Sequence, residues 1–93
     1  MTETIQLKTP ISREGGEVTA VALREPMPGE LRGLKLAEVL MMDVATLIKL
    51  VPRISDPALS EAEVAKMNPR DFTQVGGTVV RFLAREGPAP PGE

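Results

Sequence analysis

Leu36-Ala-Glu-Val-Leu-Met-Met-Asp-Val-Ala-Thr-Leu-Ile-Lys-Leu-Val-Pro-Arg-Ile-Ser55 is the densest apolar stretch of the chain, and its reading decides the fold. Leu36, Val39 and Leu40, with Met42 after them, follow the i, i+3, i+4 spacing of a short helix. Asp43 then breaks the apolar run with a carboxylate suited to an N-cap, where it accepts from free amides of the following turn. Beyond it Val44, Leu47, Ile48, Leu50 and Val51, with Ile54 further on, make a wide apolar stripe on a second helix that Pro52 is expected to end. At about nine residues that helix is shorter than the ~12–15 needed for stability alone, so tertiary packing has to hold it. The pattern then returns. Ala37, Glu38, Val39, Met42 and Asp43 are echoed by Ala62, Glu63, Val64, Met67 and Asn68, and each copy reads as a helical turn, a capping residue and a new helix.

On the N-terminal side, Thr4 to Lys8 places Ile5 and Leu7 on one side of an extended chain, with Ile11 continuing the parity. Gly15 and Gly16 supply the positive φ that a hairpin turn requires. Val18 to Leu23 is then a second strand, with Val21 and Leu23 on one face and Val18, Ala20 and Ala22 on the other. A lone hairpin is marginal in water. Either helices cover it, the more ordinary solution, or a third strand joins its open edge from another copy or a partner. Pro26 and Pro28 close the sheet region. Residues 30–34 have the length of one helical turn, weakened by Gly33.

On the C-terminal side, Ser60-Glu61-Ala62-Glu63 is a capping box opening a helix over 61–66. Asn68-Pro69-Arg70-Asp71 opens another, with Asn at the cap, Pro where no amide is missed, and Asp71 complementing the helix dipole. Phe72, Val75, Gly76, Val79, Phe82 and Leu83 continue it at helical spacing. Gly76 and Gly77 together cost that helix about 2 kcal/mol against alanines, so they imply a kink or a close neighbour. The Pro- and Gly-rich residues 87–93 read as a mobile tail. The fold class expected is α+β: an N-terminal β-hairpin over about 4–24, then three to four short helices over about 29–85, packed as one small domain spanning 1–86.

Composition narrows the chemistry. Ninety-three residues with 42% hydrophobic content suit one thin core. Eleven basic against thirteen acidic residues, interleaved, give a net charge of −2, which predicts neither a nucleic-acid field nor membrane attraction. Absence of His, Cys, Tyr and Trp removes the commonest general base, the thiol nucleophile and most transition-metal ligands. Asp43, Asp71, Glu61 and Glu63 all fall at helix starts, where local roles explain them. No catalytic residue, cofactor or metal is expected, nor any membrane partner. There is no leader pattern and no long uncharged apolar run, so the cytoplasm is the expected compartment. The outline of a helix-turn-helix over 60–83 is countered by Asp71 at the start of its second helix and by the acidic balance.

Met41 and Met42, with Met27 and Met67, set flexible polarizable side chains beside Leu40 and Ile48, a composition shared by cores and by adaptable helix-binding grooves. Core filling is the default for any one of them. The crowding of apolar residues over 34–54 nevertheless points to a partner surface, with Leu40, Met41, Met42, Ile48, Val51 and Ile54 as its candidate residues.

Arg24-Glu25-Pro26, Gly29-Glu30-Leu31-Arg32-Gly33-Leu34, Met42-Asp43, Leu47, Leu50-Val51-Pro52-Arg53-Ile54-Ser55, Leu59-Ser60, Asp71, Phe82 and Leu83 recur in an order and spacing that resembles the phage tail assembly chaperones of contractile-tailed, Mu-like phages and prophages. Met42-Asp43 and Pro52-Arg53-Ile54-Ser55 are the most diagnostic parts. The resemblance implies a non-enzymatic factor that holds the tape measure protein soluble in the host cytoplasm until the tail tube polymerises, and that is not expected in the mature virion. It further implies contact with tail tube protein through a frameshifted longer product, to which the tail would be the junction. Self-association is a further expected contact. A minor structural tail or baseplate protein, and a non-enzymatic interaction module, remain open alternatives.

Overall fold

Ile5 and Leu7 on one side and Val21 and Leu23 on the other fold inward as alternation demands. The computed structural model, which describes residues 2–84, pairs them in an antiparallel hairpin of β1 (Thr2–Arg13) and β2 (Gly16–Arg24). A 3-10 turn at Pro28–Leu31 follows. Then come α1 (Leu36–Leu40), α2 (Val44–Ile54), β3 (Ser55–Asp56), α3 (Glu61–Ala65) and α4 (Pro69–Ala84). The fold is therefore α+β, with one buried cluster shared by sheet and helices. The tail over 87–93, and the boundary at 86, lie outside the described residues.

Ile11 packs half-buried against the same core as Ile5 and Leu7, but the ladder slips on the way to it. Gln6 faces Ala20 but Ile11 faces Val18, so Leu7 to Pro10 stand opposite Thr19 alone. Such a bulge leaves amides without a ladder partner. Lys8 and Thr9 donate theirs to the two carboxylate oxygens of Asp71, each at 3.0 Å, and Pro10 has none to donate. Asn68 Nδ2 donates to Thr9 Oγ1 at 3.0 Å. Asp71 is thus more than a dipole complement at the start of α4: it is fully buried and ties that helix to β1. The third strand comes from this chain itself, since β3 pairs with Ala22 and Leu23 directly after α2.

Pro52 does not end α2, which runs on to Ile54. In a last turn a proline deletes one backbone bond, and burial of Ile54 together with the bonds of Arg53 offsets it. Arg53 Nη1 donates to the carbonyls of Glu30 and Arg32 at 2.7 and 2.9 Å. Arg24 Nη2 donates to the Arg53 carbonyl at 3.0 Å and pairs with the Glu30 carboxylate, which that partner and the Met27 amide hold below the usual carboxylate range. The proline-rich linker is therefore locked to the end of α2.

The sequence echo has a structural counterpart. α1 packs on α4 and α2 on α3, so each short helix rests on the long helix of the other unit. Val39 and Val64, at matching positions, are both buried. Gly76 explains part of this contact: a Cβ there would lie 2.7 Å from Met42 Cε and 3.0 Å from Leu47 Cδ1. Close approach, rather than a kink, accounts for the glycine.

Glu63 closes the capping box with Ser60, accepting from its amide at 2.9 Å while Ser60 Oγ accepts from the Glu63 amide at 3.1 Å. The same carboxylate takes both Nε and Nη2 of Arg13, at 2.7 and 2.9 Å, so α3 is clipped to the far end of the hairpin. The Arg13 bonds first, and the Ser60 amide second, lower its pKa to about 2. A depressed carboxylate stabilises the fold above its unfolded value and loses that contribution as pH falls through the folded one. The gap in melting temperature between the wild type and Glu63→Gln should accordingly be full above about pH 4.5 and close as pH approaches 2. A gap independent of pH over that window would contradict the Arg13 clip as its source.

Candidate partner surface

Five residues are too few for α1 to bury two faces. Val39 turns into the core, while Leu36 and Leu40, one turn apart, face outward at 50% and 40% exposure. The chain then reverses through Met42 in the left-handed region, φ 58°, an uncommon conformation for a methionine. α1 consequently ends at Leu40, two residues earlier than its apolar spacing suggests. Met42 folds down over Gly76, and its neighbour Met41 is left 81% exposed.

Asp43 restarts the helix. Its carboxylate accepts from Thr46 Oγ1 at 2.8 Å and from the Thr46 amide at 3.0 Å, and these bonds hold its pKa below the ordinary value. With the cap set, a rotation of 100° per residue sends Leu47, Leu50, Val51 and Ile54 to the core and Val44 and Ile48 to the flank. Val44 is 57% exposed. Beside it lies an apolar groove of about 160 Å³ lined by Val44, Ile48, Ala65, Met67, Pro69 and Phe72.

The six candidate residues are thus divided. Leu40, Met41 and Ile48 lie on the outside or flank, and Met42 is a half-buried anchor. Val51 and Ile54, at 0% and 2% exposure, are core residues, because they fall on the inward side of the α2 wheel. Leu36 and Val44 belong to the exposed set and escaped the sequence reading. For Val44 the signal was its offset, with Ile48, from the Leu47–Leu50–Val51–Ile54 row of α2.

This surface has apolar contact to offer and little else. A larger hollow of about 290 Å³ lies between β1 and α3, but its Thr9, Glu63 and Asn68 are occupied with each other's elements. Among the described residues no group of three or more His, Cys, Asp or Glu is placed to hold a metal ion, and no helix is long and apolar enough to cross a membrane.

The family model described as phage tail assembly chaperone proteins, E, or 41 or 14, matches residues 4–84, from β1 to the end of α4. The chain belongs to this chaperone family. Tail assembly protein E of Escherichia phage P2 is 40% identical over 80 residues, covering 86% of this chain and 88% of that protein. Tail assembly protein E' of the same phage is 40% identical over 82 residues, covering 88% of this chain. The chain spans only 58% of E'. No solved structure matches.

Proposed function

We propose that this chaperone binds the tape measure protein, through Leu36, Leu40, Met41 and Val44 and the adjoining groove, and keeps it soluble in the host cytoplasm until the tail tube polymerises around it. The observation that carries the proposal is that, of the five large apolar side chains exposed among the described residues, four lie together in the chain on α1, just after it and at the start of α2, and only Met27 stands apart in the linker. An elongated helical client presents apolar ridges, and a surface of leucine, methionine and valine accepts such ridges without fixed geometry. Binding of this kind is reversible and non-catalytic, in keeping with release before the virion is complete. That this chain also matches a longer P2 relative supports a second product whose extension reaches the tail tube protein.

Co-expression with the tape measure protein tests this. The wild type should keep that protein in the soluble fraction and co-purify with it. Met41→Glu/Val44→Glu should remain folded, because both side chains are exposed and an acid in the first turn of α2 suits the dipole, yet leave the client in the pellet. A client that stays insoluble beside the wild type, or is rescued equally by the double variant, would refute the assignment.

A further inference from the structure

The two edges of the sheet are treated differently. On β1, Asp71 occupies the amides of Lys8 and Thr9, and Pro10 offers no donor, which are familiar ways of blocking an edge. On β2, β3 covers only Ala22 and Leu23. From Gly16 to Val21 the outer edge has no strand beside it, and among the described residues no side chain or loop bonds to its backbone. Residues 18–23 contain no charge and no proline. An open edge of this composition is a template for another strand.

We propose that this edge pairs antiparallel with the same edge of a second copy, joining two three-stranded sheets across a two-fold axis at Val18. The position of β3 selects the register. A partner strand centred on Thr19 would set its Gly16 opposite Ala22, where β3 already lies, whereas centring on Val18 uses Gly16 to Ala20 and stays clear. A two-fold contact is self-complementary, and here the pairs agree with the faces. Val18 meets Val18 and Gly16 meets Ala20 on the side where Val18 is already buried, and exposed Glu17 meets exposed Thr19 on the other. Identical strands are preferred to an acidic or basic peptide because the free edge itself carries a single charge, at Glu17.

The register makes the test one of charge sign at an exposed position. Sedimentation equilibrium of the wild type up to about 1 mM should show a monomer–dimer equilibrium. Thr19→Glu sets two like-charge pairs across the axis and should weaken dimerisation roughly tenfold, whereas Thr19→Lys faces Glu17 with the opposite sign and should bind as tightly or more so. Glu17→Lys/Thr19→Glu should restore the wild-type affinity. Circular dichroism of each variant should match the wild type, since both positions are exposed. A monomer at every concentration, or equal weakening by Thr19→Glu and Thr19→Lys, would overturn the proposal; pairing with an extended segment of a client and not with itself would do so as well.

Discussion

Asp71→Ala is expected to lower the free energy of unfolding by about 3–5 kcal/mol, because two hydrogen bonds to a charged group are lost together and two amides of the bulge are left without partners. Both bonds are 3.0 Å long, to Lys8 and to Thr9, and the carboxylate is fully buried. For a domain with a total stability of about 5–15 kcal/mol this is a large fraction. Asp71→Asn keeps the shape and one acceptor oxygen but turns an amide donor toward a second donor, so about half the loss should remain. Urea unfolding measures both, and amide exchange at Lys8 and Thr9 should accelerate in each variant ahead of the core. A loss under about 1 kcal/mol for the alanine variant would mean that water replaces the carboxylate at the bulge.

Val51→Asp should abolish cooperative folding. Val51 is fully buried on the inward side of α2, and an unpaired carboxylate there costs several kcal/mol even after relaxation. Met41→Asp, ten positions earlier in the same apolar stretch, should shift stability by no more than about 0.5 kcal/mol, since its side chain projects into solvent. Thermal denaturation followed by circular dichroism separates the two: one transition lost, the other retained. If both variants unfolded, Met41 would be part of the core and the proposed partner surface would lose its most exposed member.

Local signals in the chain were legible where they were self-contained. The caps at Asp43, Ser60 and Asn68 each bond the amide that their spacing predicts, because a cap and its target lie two or three residues apart. The hairpin turn and the echoed turn-cap-helix units belong to the same class. Elements whose form depends on distant partners were misread. Pro52 looked like a stop because Arg53 and Ile54 find their partners at Glu30, Arg32 and the core, and a proline rule sees none of these. Asp71 does stand in the first turn of α4, as its spacing says, but its tie to β1 was hidden because Lys8 and Thr9 are more than sixty positions away. Met42 was read as helical, and its left-handed turn follows from packing over Gly76.

For the partner surface the same division holds. Composition marked residues 34–54 as carrying more apolar surface than a small domain readily hides, and family spacing marked the chain as a tail assembly chaperone. Periodicity alone could not say which side of each helix faces inward, since a stripe defines an axis of burial only when the neighbouring helix is in place. The sequence by itself determined the hairpin, the helix starts and their caps, which rest on contacts between residues close in the chain, but neither β3 nor the ends of α1 and α2. Only the tertiary structure decided that Val51 and Ile54 are core, that Leu36, Leu40, Met41 and Val44 face solvent, and that one sheet edge is blocked and the other open. Those outcomes depend on where α4 lies against β1 and Gly76 beneath Met42, and such placements are set by packing between residues far apart in the chain.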